Sequence, residues 1–126
     1  MRRINPPTFP KPASNYSQGI VHKAGAERLV ISGQVGVRSD GTTAAGLEAQ
    51  MTEAWANFLA VLTDAGFRPE HVVKVTVYVT TPALAEFRRG REKALAGCAP
   101  AATYVQVAAL ASPEYLVEIE GEAVKE

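Results

Sequence analysis

"HVVKVTVYV", residues 71–79, is rich in β-branched side chains and alternates in the manner of a strand. Side chains of a strand leave opposite faces in turn, so Val73, Val75, Val77 and Val79 line one side. Lys74, Thr76 and Tyr78 line the other. The all-valine side needs an apolar cover, and the neighbouring sequence supplies two helices to provide it. Upstream, Leu47, Met51, Trp55, Phe58, Leu62 and Ala65 recur every three or four residues, which predicts a helix over 47–65 with Gly66 placed to stop it. Downstream, Pro82 opens a second helix whose stripe is Leu84, Phe87, Ala94/Leu95 and Cys98.

Further outward, "YSQGIVHK" (16–23) and "RLVISGQVGV" (28–37) read as strands before the first helix, and "TYVQVAAL" (103–110) and "YLVEIEGEA" (115–123) as strands after the second. Residues 1–15 hold four of the eight prolines and read as an extended leader. Strands, helix, strand, helix and strands make an α/β (α+β) domain over residues 1–126, with both helices on one face of a single mixed sheet. The other face is mixed and partly apolar, which suits packing against another subunit, so a homo-oligomer is expected.

The totals exclude several classes. The 13 basic and 13 acidic residues cancel, so no global field favours nucleic acid or an anionic membrane. Cys98 is the single cysteine and cannot form an intramolecular disulfide. The N-terminus "MRRINPPTFPKPASNYS" has no apolar core of a secretory signal, and no apolar run approaches the roughly 20 residues that span a bilayer. A cytoplasmic protein is expected. His22 and His71 are far apart, and HxxxH, CxxC and acidic calcium-loop patterns are all lacking, so no metal site is expected. Neither a phosphate-loop GK[ST], a GxGxxG nor a GxSxG pattern occurs.

The last strand poses the chemical question. In "LVEIEGEAV" (116–124), Glu118, Glu120 and Glu122 leave the same face, and composition alone reads them as an exposed polar face. Arg91 falls on the apolar stripe of the second helix, where spacing alone favours an arginine that snorkels to the edge. Tyr16 and Tyr104 read as core aromatics whose hydroxyls reach an edge, Cys98 as a small buried hydrophobe, and His71 as a surface or capping residue.

Six segments in register, "NYSQGI", "LVISGQVGV", "EAQMTEAWANFLAVLTDAG", "VVKVTVYV", "PAATYVQVAAL" and "VEIEGEAV", resemble the RidA/YjgF family of small imine and enamine deaminases from about residue 12 onward. The resemblance implies a chorismate-mutase-like fold and a homotrimer whose sheets surround a barrel-like core. It also implies ligand clefts between subunits and hydrolysis of intermediates such as 2-aminoacrylate without metal or organic cofactor. Carried over by position, the family's active-site tyrosine is Tyr16, its SGQ-turn backbone is that of Ser32 and Gly33, and its water-positioning glutamate is Glu118. Glu120 and Glu122 are then structural or solvent-facing.

One departure stands out. Where the family has an arginine that grips the substrate carboxylate, "PAAT" puts Ala102, followed by Thr103 and by Tyr104 at a position often held by cysteine. Losing a guanidinium–carboxylate pair in a closed site costs about 2–5 kcal/mol. Arg91 aligns with a family asparagine near the ligand, and the resemblance suggests that it reaches the cleft and replaces the missing anchor. The reading expected from these residues is a deaminase or hydrolase of an enamine or imine other than 2-aminoacrylate. A non-catalytic small-ligand or protein-binding member is the alternative, and an endoribonuclease is the least favoured on the neutral charge.

Overall fold

The computed structural model describes residues 1–126. In chain order it contains β1 (Arg2–Ile4), β2 (Gly19–Val21), β3 (Glu27–Val35), α1 (Leu47–Asp64), β4 (Val72–Val79), α2 (Leu84–Ala94), β5 (Ala101–Gln106) and β6 (Val117–Lys125). The main sheet has the order β3-β6-β4-β5, with β4 and β5 parallel and the other pairs antiparallel. The expected mixed sheet and two helices are therefore present. The leader differs from expectation: it begins with β1, which pairs antiparallel with β2 in a small separate ribbon. Only Gly19–Val21 of the 16–23 stretch is strand, because Tyr16 and Ser17 instead run alongside β5 through a bridge from Ser17 to Ala101.

β4 carries out what its alternation predicts. Val75, Val77 and Val79 are fully buried beneath the helices with Val117, Ile119 and Ala123 of β6, while Lys74, Thr76 and Tyr78 turn to the open face. From α1 the stripe Met51, Ala54, Trp55, Phe58 and Leu62 completes this core. Each large apolar side chain so buried contributes about 1.5–3 kcal/mol. No helix is long and apolar enough to cross a membrane.

α2 is shorter than its stripe suggests. It ends at Ala94, and Ala96 (φ 50°) and Gly97 (φ 77°) turn the chain away, so Cys98 packs on the core from beyond the helix. β5 starts at Ala101 and ends at Gln106, earlier at both ends than expected, and β6 runs on to Lys125. His71 closes a short turn by accepting a hydrogen bond from the Arg68 backbone N–H at 2.9 Å, the capping role expected of it.

The two helices meet at Gly90. A Cβ there would lie 2.6 Å from Cδ1 and 2.7 Å from Nε1 of the buried Trp55. Trp55 also stacks on Phe87 with centroids 6.0 Å apart, so it has little freedom to retreat. In an ordinary helix Gly→Ala stabilises by about 1 kcal/mol. Here Gly90→Ala is expected to destabilise by about 1–3 kcal/mol through overpacking, measurable by urea unfolding.

Candidate functional site

Glu118 sits on the open face of the sheet, opposite Tyr78 of β4 and Val35 of β3. Between Ile31 and Gln34 the β3–β6 register slips, and this bulge holds Ser32 and Gly33. A Cβ on Gly33 would lie 1.9 Å from Glu118 Oε1, so the carboxylate occupies the space that glycine leaves free. The three β6 carboxylates are half-buried and differ in their partners. Glu120 accepts a hydrogen bond from the Tyr78 hydroxyl at 2.6 Å, and Glu122 pairs with Arg28 at 2.8 Å. Glu118 alone accepts no hydrogen bond and joins no ion pair. The expected exposed polar face is thus a partly covered one in which a single carboxylate is unengaged.

The hydrogen bond to Glu120 holds the Tyr78 phenol above its ordinary pKa, with desolvation and the charges of Glu120 and Glu118 acting in the same direction. Because the folded-state value is raised, this contribution to stability is present below about pH 10 and is lost as pH rises through the folded value. Ultraviolet titration of Glu120→Gln against the parent protein is expected to show one tyrosine ionising at lower pH in the variant.

A second group of residues gathers on the other side of the sheet. Ser17 donates its backbone N–H to Pro100 O at 3.0 Å and its hydroxyl to Ala99 O at 2.5 Å, which lays Tyr16 along β5. Tyr16, Phe87, Arg91, Ala102, Thr103 and Tyr104 line a cavity of about 110 Å³. The Tyr104 hydroxyl accepts the Ala83 backbone N–H at 2.8 Å and so fixes the start of α2, an edge contact of the kind expected of it. Arg91 does not snorkel to water: it is 3% exposed, and its guanidinium donates to Ser14 Oγ at 2.9 Å and lies 5.3 Å from the Phe87 ring centroid. Its Nε–H has no partner. Burial, aided by the nearby Arg88 charge, pulls the Arg91 pKa down, with Glu92 and Tyr16 opposing.

The sequence-derived residues therefore fall into two separate groups. Ser32, Gly33 and Glu118 come together on the open face, and Tyr16, Arg91, Ala102 and Tyr104 on the helix-covered side. Thr103 also lines that cavity, but its hydroxyl accepts a hydrogen bond from Lys74 Nζ at 2.6 Å on the open face. Register shows the separation: Tyr104 pairs with Val77 and Val77 with Ile119 on the helix-covered face, whereas Tyr78 and Glu118 share the open one.

Sequence reasoning passed over Gln50. Its side chain is buried, donates Nε2–H to Glu114 O at 2.9 Å and accepts the Leu116 N–H at 2.8 Å, which ties down the segment entering β6 just before Glu118. The signal was available, since Gln50 lies three residues from Leu47 and four from Ala54 on the apolar stripe. Gln50→Ala strands both backbone groups and is expected to cost about 1–3 kcal/mol, read by denaturant unfolding.

With this geometry established, the family described as Endoribonuclease L-PSP matches residues 7–125, nearly the whole length. The chain belongs to the RidA/YjgF/L-PSP family. Its fold agrees with solved RidA-family structures. YyfB from Yersinia pestis, a Rid-family protein described as of unknown function, is 37% identical with a TM-score of 0.86, covering 98% of this chain and 97% of that one. RidA from an Antarctic Psychrobacter is 28% identical with a TM-score of 0.73, covering 98% and 99%. A RutC family protein of Aquifex aeolicus is 37% identical over 81 residues, 64% of this chain, and the chain spans 62% of the length of that curated relative. The four-stranded mixed sheet with two helices is thus the RidA-family arrangement.

Proposed function

We propose that the protein hydrolyses a small reactive imine or enamine at a site completed by a second copy of the chain, most simply in a homotrimer. The observation that carries this reading is the unengaged Glu118 carboxylate, held over the Gly33 backbone while its neighbours Glu120 and Glu122 are tied to Tyr78 and Arg28. A carboxylate free of partners, on a face suited to subunit packing, is placed to accept a proton from water. Water adds to the imine carbon as Glu118 takes its proton. Glu118 returns that proton to the nitrogen to give the carbinolamine, whose C–N bond breaks as its hydroxyl proton passes to the nitrogen, and a carbonyl compound and ammonia leave. An enamine first tautomerises to the imine. Tyr16, Thr103 and Tyr104, with the backbone of Ser32 and Gly33, position the substrate, and the chemistry calls for no metal or organic cofactor.

Because Ala102 supplies no charge at the family arginine position, 2-aminoacrylate is a poor substrate in this reading. A substrate other than a simple 2-imino acid is preferred, one with a ring or a neutral group or with an acidic group that reaches Arg91. That same alanine favours the second reading, a member of the family that binds a small ligand without turning it over. Ribonuclease activity has the least support: the basic side chains Arg88, Arg89 and Lys93 on α2 line a shallow groove with no aromatic stacking face.

The test supplies 2-aminoacrylate from a dehydratase and ring-containing or larger imines from an amino-acid oxidase, and follows carbonyl formation against a buffer blank. Acceleration is expected for at least one larger imine and least for 2-aminoacrylate, with a solution mass about three times 13.4 kDa. No acceleration of any imine leaves the ligand-binding reading.

A further inference from the structure

We propose that Arg91 and Arg88 form an anion site on α2 that takes a carboxylate in the 110 Å³ cavity beside Ala102. It rests on the hydrolase reading only in taking that carboxylate to be the substrate's.

A buried charge is costly unless it is paired and hydrogen-bonded. Arg91 is 97% buried yet has no carboxylate partner, a neutral serine hydroxyl as its hydrogen-bond acceptor, and an Nε–H with none. The nearest acid in sequence, Glu92, is itself engaged by Asn15 Nδ2 at 2.5 Å. Arg88, which lines both this cavity and the adjoining groove, adds a second positive charge and also joins no ion pair, whereas Arg89 is matched by Glu48. Two unmatched guanidinium groups at one cavity, one of them buried, repel each other and stabilise an incoming anion instead. The planar fork of arginine suits a carboxylate held by two parallel hydrogen bonds. The cavity admits about three to four water volumes, enough for a carboxylate with its first carbon and too little for a bulky polyanion.

The test is ligand-observed NMR titration with sodium propionate, using propionamide as the neutral isostere and inorganic phosphate as the competing anion. Wild-type protein is expected to bind propionate in the millimolar range, propionamide undetectably and phosphate more weakly than propionate. Arg91→Met weakens propionate by about tenfold or more and Arg88→Ala by a smaller factor, the two being unequal because only Arg91 is buried. Arg91→Met is also expected to raise the melting temperature by about 2–8 °C, since it removes an uncompensated buried charge. An arginine retained for structure would lower it. Equal propionate binding by Arg91→Met, a preference for phosphate, or a lowered melting temperature with loss of the oligomer overturns the proposal. Propionate binding without turnover of any imine keeps this site and removes the hydrolase reading, while turnover without propionate binding does the reverse.

Discussion

Replacing Glu118 by Gln is expected to lower kcat on the best imine by about 10²–10⁴-fold and to leave the fold unchanged. The amide keeps the size and shape of the acid and still fits over Gly33, but it cannot accept the proton that water gives up. Stability is expected to move by less than about 0.5 kcal/mol, because Glu118 has no hydrogen bond or ion pair to lose. Glu120→Gln and Glu122→Gln are the controls, since they weaken contacts to Tyr78 and Arg28 and should change stability more than rate. Steady-state kinetics on the three variants separates the roles. If Glu118→Gln retains more than about a tenth of wild-type kcat, proton transfer by this carboxylate is not the chemical step.

Moving the anchoring cation from α2 back to β5 is the second large effect. Ala102→Arg with Arg91→Asn is expected to raise kcat/KM for 2-aminoacrylate by about tenfold to a hundredfold. That is less than the full ~2–5 kcal/mol of a closed guanidinium–carboxylate pair, because Arg91 already offers a cation and the gain is one of orientation. The single change Ala102→Arg should do much less. Residues 91 and 102 line the same small cavity, so a second guanidinium would meet Arg91 there without a counter-charge. Non-additivity of the two substitutions is therefore part of the prediction, and a double-mutant cycle on 2-aminoacrylate turnover measures it. A double variant no faster than wild type would mean that Ala102 does not stand at the substrate-carboxylate position.

The fold was legible where pattern and burial agree. The valines of β4 and the α1 stripe predicted the helix-covered face, because period-two and period-3.6 patterns record which side chains leave water. The strand at Arg2–Ile4 was not legible, since its pairing with β2 is a long-range contact that a proline-rich leader does not announce. Strand ends at Ala101 and Lys125 were shifted for the same reason, as ladders stop where a partner stops. In the site, alternation put Glu118, Glu120 and Glu122 on one face but could not tell which were engaged, because Tyr78 and Arg28 come from other strands. Spacing put Arg91 on the apolar stripe yet favoured snorkelling, whereas the Ser14 segment covers it and keeps it from water. The separation of Glu118 from Ala102 and Tyr104 onto opposite faces follows from sheet register, which appears only once strands are paired.

Subunit complementation tests most directly whether one site is built from two copies. Glu118→Gln and Ala102→Leu, the second chosen to fill the cavity, are each expected to be inactive on the best imine. Co-expressed and assembled at random, they should recover about a quarter of wild-type activity, because each site draws its two halves from different subunits. Activity no greater than the sum of the two parents would contradict a shared site and confine any chemistry to a single protomer.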